Sequence, residues 1–414
     1  MKRILSIVIS LALVISLCSV FANVSYALGG DNLENAKLEE TQLVRSLDSG
    51  LRALDSEQDR KAYEALLKKA TKVANGEETS TIFELTLEDF GIKHDKFSAE
   101  DLGVSDLLDY SGAEPVITEA AVSALIALVD FDYERVVTQL IHSAPYELYW
   151  FDKTKGYNYS TPSIGYISNE EYPNGYLYLQ SNVVVEMTVS AAYSLNSAQY
   201  TTDKGICKGV QTSLTKAAQI VEKHKAKSDY EKLVAYKEEI CNLASYDQEA
   251  GNKDSQTPYG NQWQLIWVFD GDPTTNVVCE GYAKAFQYLC QISEFASSSI
   301  ECISVNGIMY NEADDAEPVS ENHMWNIVTM EDGLNYIVDI TNCDEGTIGE
   351  PSSLFLAGMT GSVLEQYDKT ISNKSVIYVY GYDTRMIFSQ EALTLSGDDY
   401  EPPGRFNCNE YKSH

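Results

Sequence analysis

Apolar positions recur at helical spacing through the first part of the chain. Within residues 31–76, Leu43, Leu47, Leu51 and Leu54 form one stripe, and Ala62, Tyr63, Leu66, Leu67, Ala70 and Val73 form a second. This predicts two helices, the second opening with an N-cap and first turn at 56–59 and ending at Asn75-Gly76. Residues 77–113 are polar and weakly patterned, and read as a linker with a short helical piece. Beyond Pro115 the pattern predicts a helix carrying Val122, Leu125, Ile126 and Val129 and, farther on, Val136, Val137 and Leu140. The run from Tyr146 to Phe151 follows, then the β-rich stretches Gly165-Tyr166-Ile167 and 176–189. Tyrosine is dense here, and tyrosine suits half-buried strands; an aromatic ligand groove is the alternative. The chain turns helical again from Cys207 to Lys225. Ser228-Asp229-Tyr230-Glu231 is a capping box opening a helix through Leu233, Val234, Ile240 and Cys241.

A long irregular stretch, 242–276, then leads to the run from Val277 to Cys290. Cys279, Tyr282, Ala283, Phe286, Leu289 and Cys290 fall at i, i+3, i+4, i+7, i+10 and i+11, one stripe of an amphipathic helix. Because the turn-rich 270–276 precedes it, the helix starts near Cys279. Unpaired N–H groups at a helix N-terminus stabilise an anion on sulfur, as a nucleophilic cysteine requires. A cysteine on an apolar helix face is more often a small buried hydrophobe, so Cys279 alone does not decide the matter.

After Cys290 the period changes from 3.6 to 2. Cys302-Ile303-Ser304-Val305 is a candidate strand, 314–318 an acidic excursion, and 323–328 and 335–340 read as paired strands joined by Glu331-Asp332-Gly333. With a three-residue loop and Gly333 in the left-handed position, Met330 faces Leu334 and Trp325 faces Asp339. His323 then shares a sheet face with Asp339 as its diagonal neighbour. A two-residue loop would place them on opposite faces. Of the five histidines, His94, His142, His224, His323 and His414, only His323 has a strand carboxylate set to orient it. A structurally satisfied histidine at a strand start is the plain alternative. Asp339, among Ile337, Val338 and Ile340, is harder to explain so, since a buried carboxylate needs a partner.

Composition alters this picture in three ways. Met1-Lys2-Arg3, the apolar run Ile4 to Val20 and the small residues near Ala27 read as a secretory leader over 1–27, and no later run could span a membrane, so the mature protein is expected to be secreted. The 62 acidic and 30 basic residues give a formal charge of −32, spread along the chain. Such a surface repels nucleic acid and anionic membranes and gives no ground for stable membrane association. Loss of Cys18 with the leader leaves seven of the eight cysteines, and an odd number leaves at least one thiol unpaired. Cys279 and Cys290 cannot pair with each other, since eleven residues of helix hold them roughly 16 Å apart. No Cys-x-x-Cys pair is present to suggest a structural zinc site, and no acidic loop has calcium-loop spacing.

Three motifs in order, Asn276-Val277-Val278-Cys279-Glu280-Gly281-Tyr282-Ala283, His323-Met324-Trp325-Asn326 and Tyr336-Ile337-Val338-Asp339-Ile340-Thr341, make residues 228–345 resemble the transglutaminase-like superfamily of papain-type fold, in its secreted bacterial form. The resemblance covers less than a third of the chain. Where that family commonly has tryptophan after aspartate-x-threonine, this chain has Asn342-Cys343. The resemblance implies an α+β fold with a papain-like core, a helix packed on an antiparallel sheet, preceded by helical and α/β N-terminal regions. It implies Cys279 as nucleophile, His323 as general base and acid, and Asp339 as the group that orients the imidazole, the roles the residues themselves suggest. The oxyanion would be held by the Cys279 N–H and one donor among Gln262, Trp263 and Gln264. The expected activity is acyl transfer on protein or peptide amides through a thioester, cell-wall and surface proteins among the substrates, with no cofactor or metal. Hydrolysis is favoured slightly over cross-linking; a non-catalytic extracellular scaffold is the rival. The expected divisions are a leader at 1–27, a helical region and linker at 28–113, an α/β segment at 114–205 and the catalytic domain at 206–414.

Overall fold

The hairpin that carries the candidate histidine and aspartate lies within a seven-stranded antiparallel sheet. In this computed structural model, residues 46–47, 50–170, 172–252, 254–272, 274–311, 319–344, 348 and 350–403 are described. The leader, the excursion at 314–318, Leu43, Cys408 and His414 lie outside them. The sheet comprises β1 (Glu301–Asn311), β2 (Val319–Thr329), β3 (Asn335–Val338), β4 (Phe355–Ala357), β5 (Thr360–Gly361), β6 (Tyr367–Ile371) and β7 (Lys374–Tyr380), in the order β4-β3-β2-β1-β7-β6-β5. Inward-facing Val305, Trp325, Ile327, Ile337, Val376 and Tyr378 alternate along the strands and form one apolar core.

Against β1 and β2 packs the helix α2 (Cys279–Gln291), itself beside α1 (Asp229–Leu243). The capping box is formed: Ser228 Oγ accepts from the Glu231 N–H, and Glu231 reaches back to the Ser228 N–H at 3.0 Å. The apolar stripe suggests an amphipathic α2, yet every residue from Glu280 to Gln291 is buried. Its polar side chains are paired inside: Glu280 with Lys284 at 2.8 Å, and Gln287 Oε1 accepting from Ser304 Oγ at 2.7 Å. Burial of polar groups is tolerable on these terms, and a helix covered by sheet and by other helices can then be buried all round.

The chain divides into two units. One is Leu47–Gln211 with Pro258–Gly260; the other holds Thr212–Thr257 and the residues from Asn261 on. The first unit contains the helix Glu57–Ala74, N-capped by Ser56 and closed at Gly76 with φ +65°, as its sequence predicts. The single helix read beyond Pro115 is two, Glu119–Ile126 and Tyr133–Ser143, because Asp132 caps the second through its carboxylate. Residues 77–113 are not a linker: Ile82–Leu85 is a strand, pairing with Val183–Met187, which also pairs with Tyr157–Ser160. Phe83 and Leu85 are buried alternately along the strand Ile82–Leu85, and Phe90, Phe97 and Leu107 are buried as single apolar anchors whose spacing follows neither period. Ile164–Ile167 and Tyr176–Leu179 pair as a separate two-stranded element. Among the described residues no helix is long and apolar enough to cross a membrane.

Candidate active site

Cys279 is the first residue of α2, and Val278, its N-cap, has no side-chain hydrogen bond to offer. No cap therefore competes for the first-turn amides. The helix start is held from behind: the Val278 N–H donates to the Gln262 carbonyl at 2.9 Å. Gly281 permits this approach, for a Cβ there would lie 2.8 Å from Val277 Cβ and 3.1 Å from Gln262 O. Segment 261–264, the stretch from which a second oxyanion donor is expected, is thus set beside the helix that begins with Cys279. Within it Gln264 is fully buried, with Oε1 accepting from Lys284 Nζ at 2.9 Å, so the Glu280–Lys284 pair also ties that segment to the helix.

β2 and β3 adopt the register that the three-residue loop predicts. Asn326 opposes Val338 and Thr329 opposes Asn335, Gly333 has φ +77°, and its N–H donates to Met330 O at 2.9 Å. His323 and Asp339 consequently share a face, and His323 Nε2 lies 2.8 Å from Asp339 Oδ2. The imidazole is buried against Trp325, with ring planes nearly parallel and centroids 6.0 Å apart. On the other side of His323 the partner residue is Gly307 of β1. With Nε2 committed to Asp339, Nδ1 is the ring nitrogen left to face Cys279, which is close enough for its charge to act on the imidazole. Cys279 is only partly buried, so a reagent or substrate can reach it.

Asp339 is wholly buried, and its carboxylate is satisfied by more than the histidine. Tyr378 Oη donates to Oδ2 at 2.6 Å, Asn342 Nδ2 to the same oxygen at 2.7 Å, and the Asn342 N–H to Oδ1 at 3.2 Å. Burial acts to raise the carboxyl, but His323, Tyr378 and Asn342 together hold it below its usual value. For His323 burial acts to lower the imidazole; the charges of Asp339 and Cys279 overcome it and push it well above the usual range. A buried carboxylate and an imidazole held in its charged form next to a thiol are arranged for proton exchange with sulfur.

Tyr378 and Asn342 are absent from the sequence-based set. Asn342 stands where the resemblance leads one to expect tryptophan, so the departure supplies a donor in place of a shielding ring. Tyr378 comes from β7, which no motif marks; only the alternation Val376, Tyr378, Tyr380 hints at an inward face. Asn326, fully buried, joins the site differently, its Nδ2 donating to Ala283 O of α2 at 3.0 Å and to Ser304 Oγ at 3.0 Å. It fixes α2, the helix that begins with Cys279, to the strand that bears His323. Among the described residues no group of three or more His, Cys, Asp or Glu side chains is placed to hold a metal ion. No family model matches the chain, and no curated protein is similar to it.

Proposed function

We propose that this chain is a cysteine acyl transferase or hydrolase with a papain-like, transglutaminase-type core, acting on protein or peptide amides. What carries the reading is the convergence of three elements on one point: a thiol at an uncapped helix start, an imidazole near enough to feel the charge of Cys279, and a buried carboxylate 2.8 Å from its Nε2. A histidine satisfied only for structural reasons does not require a partly exposed thiol at a helix start beside it.

In the proposed reaction the proton shared between Cys279 and His323 rests on Nδ1, and the sulfur left as thiolate attacks the amide carbon. The oxyanion takes hydrogen bonds from the Cys279 N–H and a donor of segment 261–264. His323 then gives its proton to the leaving nitrogen, the C–N bond breaks, and a thioester remains on Cys279. Water, or a primary amine, attacks the thioester with His323 as base, and sulfur departs with the proton returned to it. Asp339, 2.8 Å from Nε2, keeps that nitrogen protonated and the ring oriented throughout.

The test is mass spectrometry of the mature protein and of Cys279→Ala after exposure to iodoacetamide, and separately to a glutamine-containing protein plus a small primary amine. Fast alkylation at Cys279 with amine incorporation identifies cross-linking chemistry, and alkylation with cleavage or deamidation identifies hydrolysis. A Cys279 that resists alkylation, with neither product formed, refutes the enzyme reading and leaves a scaffold.

A further inference from the structure

Two buried thiols lie outside the candidate site, at the opposite end of α2. The way this helix lies on the sheet is fixed by hydrogen bonds: Asn326 Nδ2 to Ala283 O at 3.0 Å, and Ser304 Oγ to Gln287 Oε1 at 2.7 Å. One turn on from Gln287 along the same helix face stands Cys290. Two residues back from Ser304, on the same face of β1, stands Cys302. The register that pairs Gln287 with Ser304 therefore sets Cys290 beside Cys302, near enough for each thiol to act on the other. They are 6% and 7% exposed. All six described cysteines, Cys207, Cys241, Cys279, Cys290, Cys302 and Cys343, are unbridged here.

We propose that Cys290 and Cys302 are a cystine site, oxidised by exchange with a protein or small-molecule disulfide in the compartment to which the chain is exported. One thiol attacks the donor disulfide, forming a mixed disulfide and releasing one donor thiol. The second thiol attacks the protein sulfur of that mixed disulfide, forming the Cys290–Cys302 bond and expelling the other donor thiol. The two electrons reduce the donor disulfide, and the two cysteine protons end on the two donor thiols. In the folded chain burial and the neighbouring Cys290 push the Cys302 thiol well above its usual range, so exchange belongs to folding, before α2 closes on β1.

The bond would staple the C-terminal end of the helix to the central part of the sheet while leaving the other end alone. Cys279, roughly 16 Å away along the helix, is beyond reach of either partner. The pairing leaves Cys279 untouched and does not depend on the activity proposed above.

The test needs no variant. Exported protein is unfolded in denaturant with iodoacetamide and no reductant, digested, and mapped. A linked peptide pair containing Cys290 and Cys302, with Cys279 alkylated, is the expected result. Both cysteines alkylated, or either one linked to any other cysteine, overturns the proposal. A second measurement compares thermal midpoints with and without reductant: the staple predicts a reductant-dependent fall of about 5–10 °C in the wild type that Cys290→Ala/Cys302→Ala lacks. An equal fall in that double variant also overturns it.

Discussion

Asp339 concentrates four donors on a carboxylate that has no contact with water, and each donor carries a different consequence. Asp339→Asn keeps the shape but removes the charge that favours a protonated His323. If the proposed triad operates, kcat should fall roughly 10³-fold or more, with the alkaline limb of the pH–rate profile moved to lower pH. Tyr378→Phe leaves the histidine bond in place and removes one charge-assisted donor. Stability should drop by about 1.5–3 kcal/mol in urea titrations, because the carboxylate oxygen cannot recruit water in exchange. The rate effect should be smaller than for Asp339→Asn and confined to kcat with KM unchanged, since Tyr378 touches the orienting group and not the substrate. A Tyr378→Phe protein with normal stability would mean that Asn342 alone suffices.

At the level of the hairpin, two glycines separate strain from collision. Gly333 has φ +77° with nothing within 4 Å of where a Cβ would stand, so Gly333→Ala meets only the backbone penalty of a left-handed residue, about 1 kcal/mol. Gly307, opposite His323, would place a Cβ 2.0 Å from the Val379 carbonyl. Gly307→Ala must part β1 from β7 and should cost well over ~3 kcal/mol, the range of overpacking in a close-packed site. Paired urea denaturation curves test the contrast; similar losses for the two would refute it. The hairpin was legible beforehand because its register follows from local rules, a loop length and a glycine, and the register alone brings His323 to Asp339. β7 was not legible: Tyr378 reaches Asp339 from thirty-nine positions away, and no local signal encodes such a distance. Nor was the fold of residues 77–113, where Phe83 and Leu85 make only one short alternation and anchors such as Phe90 and Phe97 act singly. Polar residues on α2 read as a solvent face because sequence spacing does not reveal that Lys284 meets Gln264 and Gln287 meets Ser304.

Over the whole molecule the charge balance and the buried pair act on stability at different pH. Asp339 has its folded value below the usual 3.8, so its contribution is present above that value and disappears as pH falls through the lowered one. His323 has its folded value well above 6.5, so its contribution is complete below 6.5 and is lost as pH rises through the raised value. Both contributions are therefore full between about 4 and 6.5. The 62 acidic residues act in the same direction from the alkaline side: with a formal charge of −32 at neutrality, self-repulsion opposes the folded state and weakens as carboxylates begin to protonate. The urea midpoint should accordingly be highest on the acid side of neutrality and decline toward pH 9. Salt distinguishes the two causes, because exposed charges about 10 Å apart are screened at 0.1 M whereas a wholly buried pair is not. Raising sodium chloride at pH 8 should restore the part due to surface repulsion and leave the part due to His323. In His323→Gln the remaining decline should vanish in salt. If it persists unchanged, the pH dependence does not arise from this pair, and the imidazole is not held in its charged form in the folded protein.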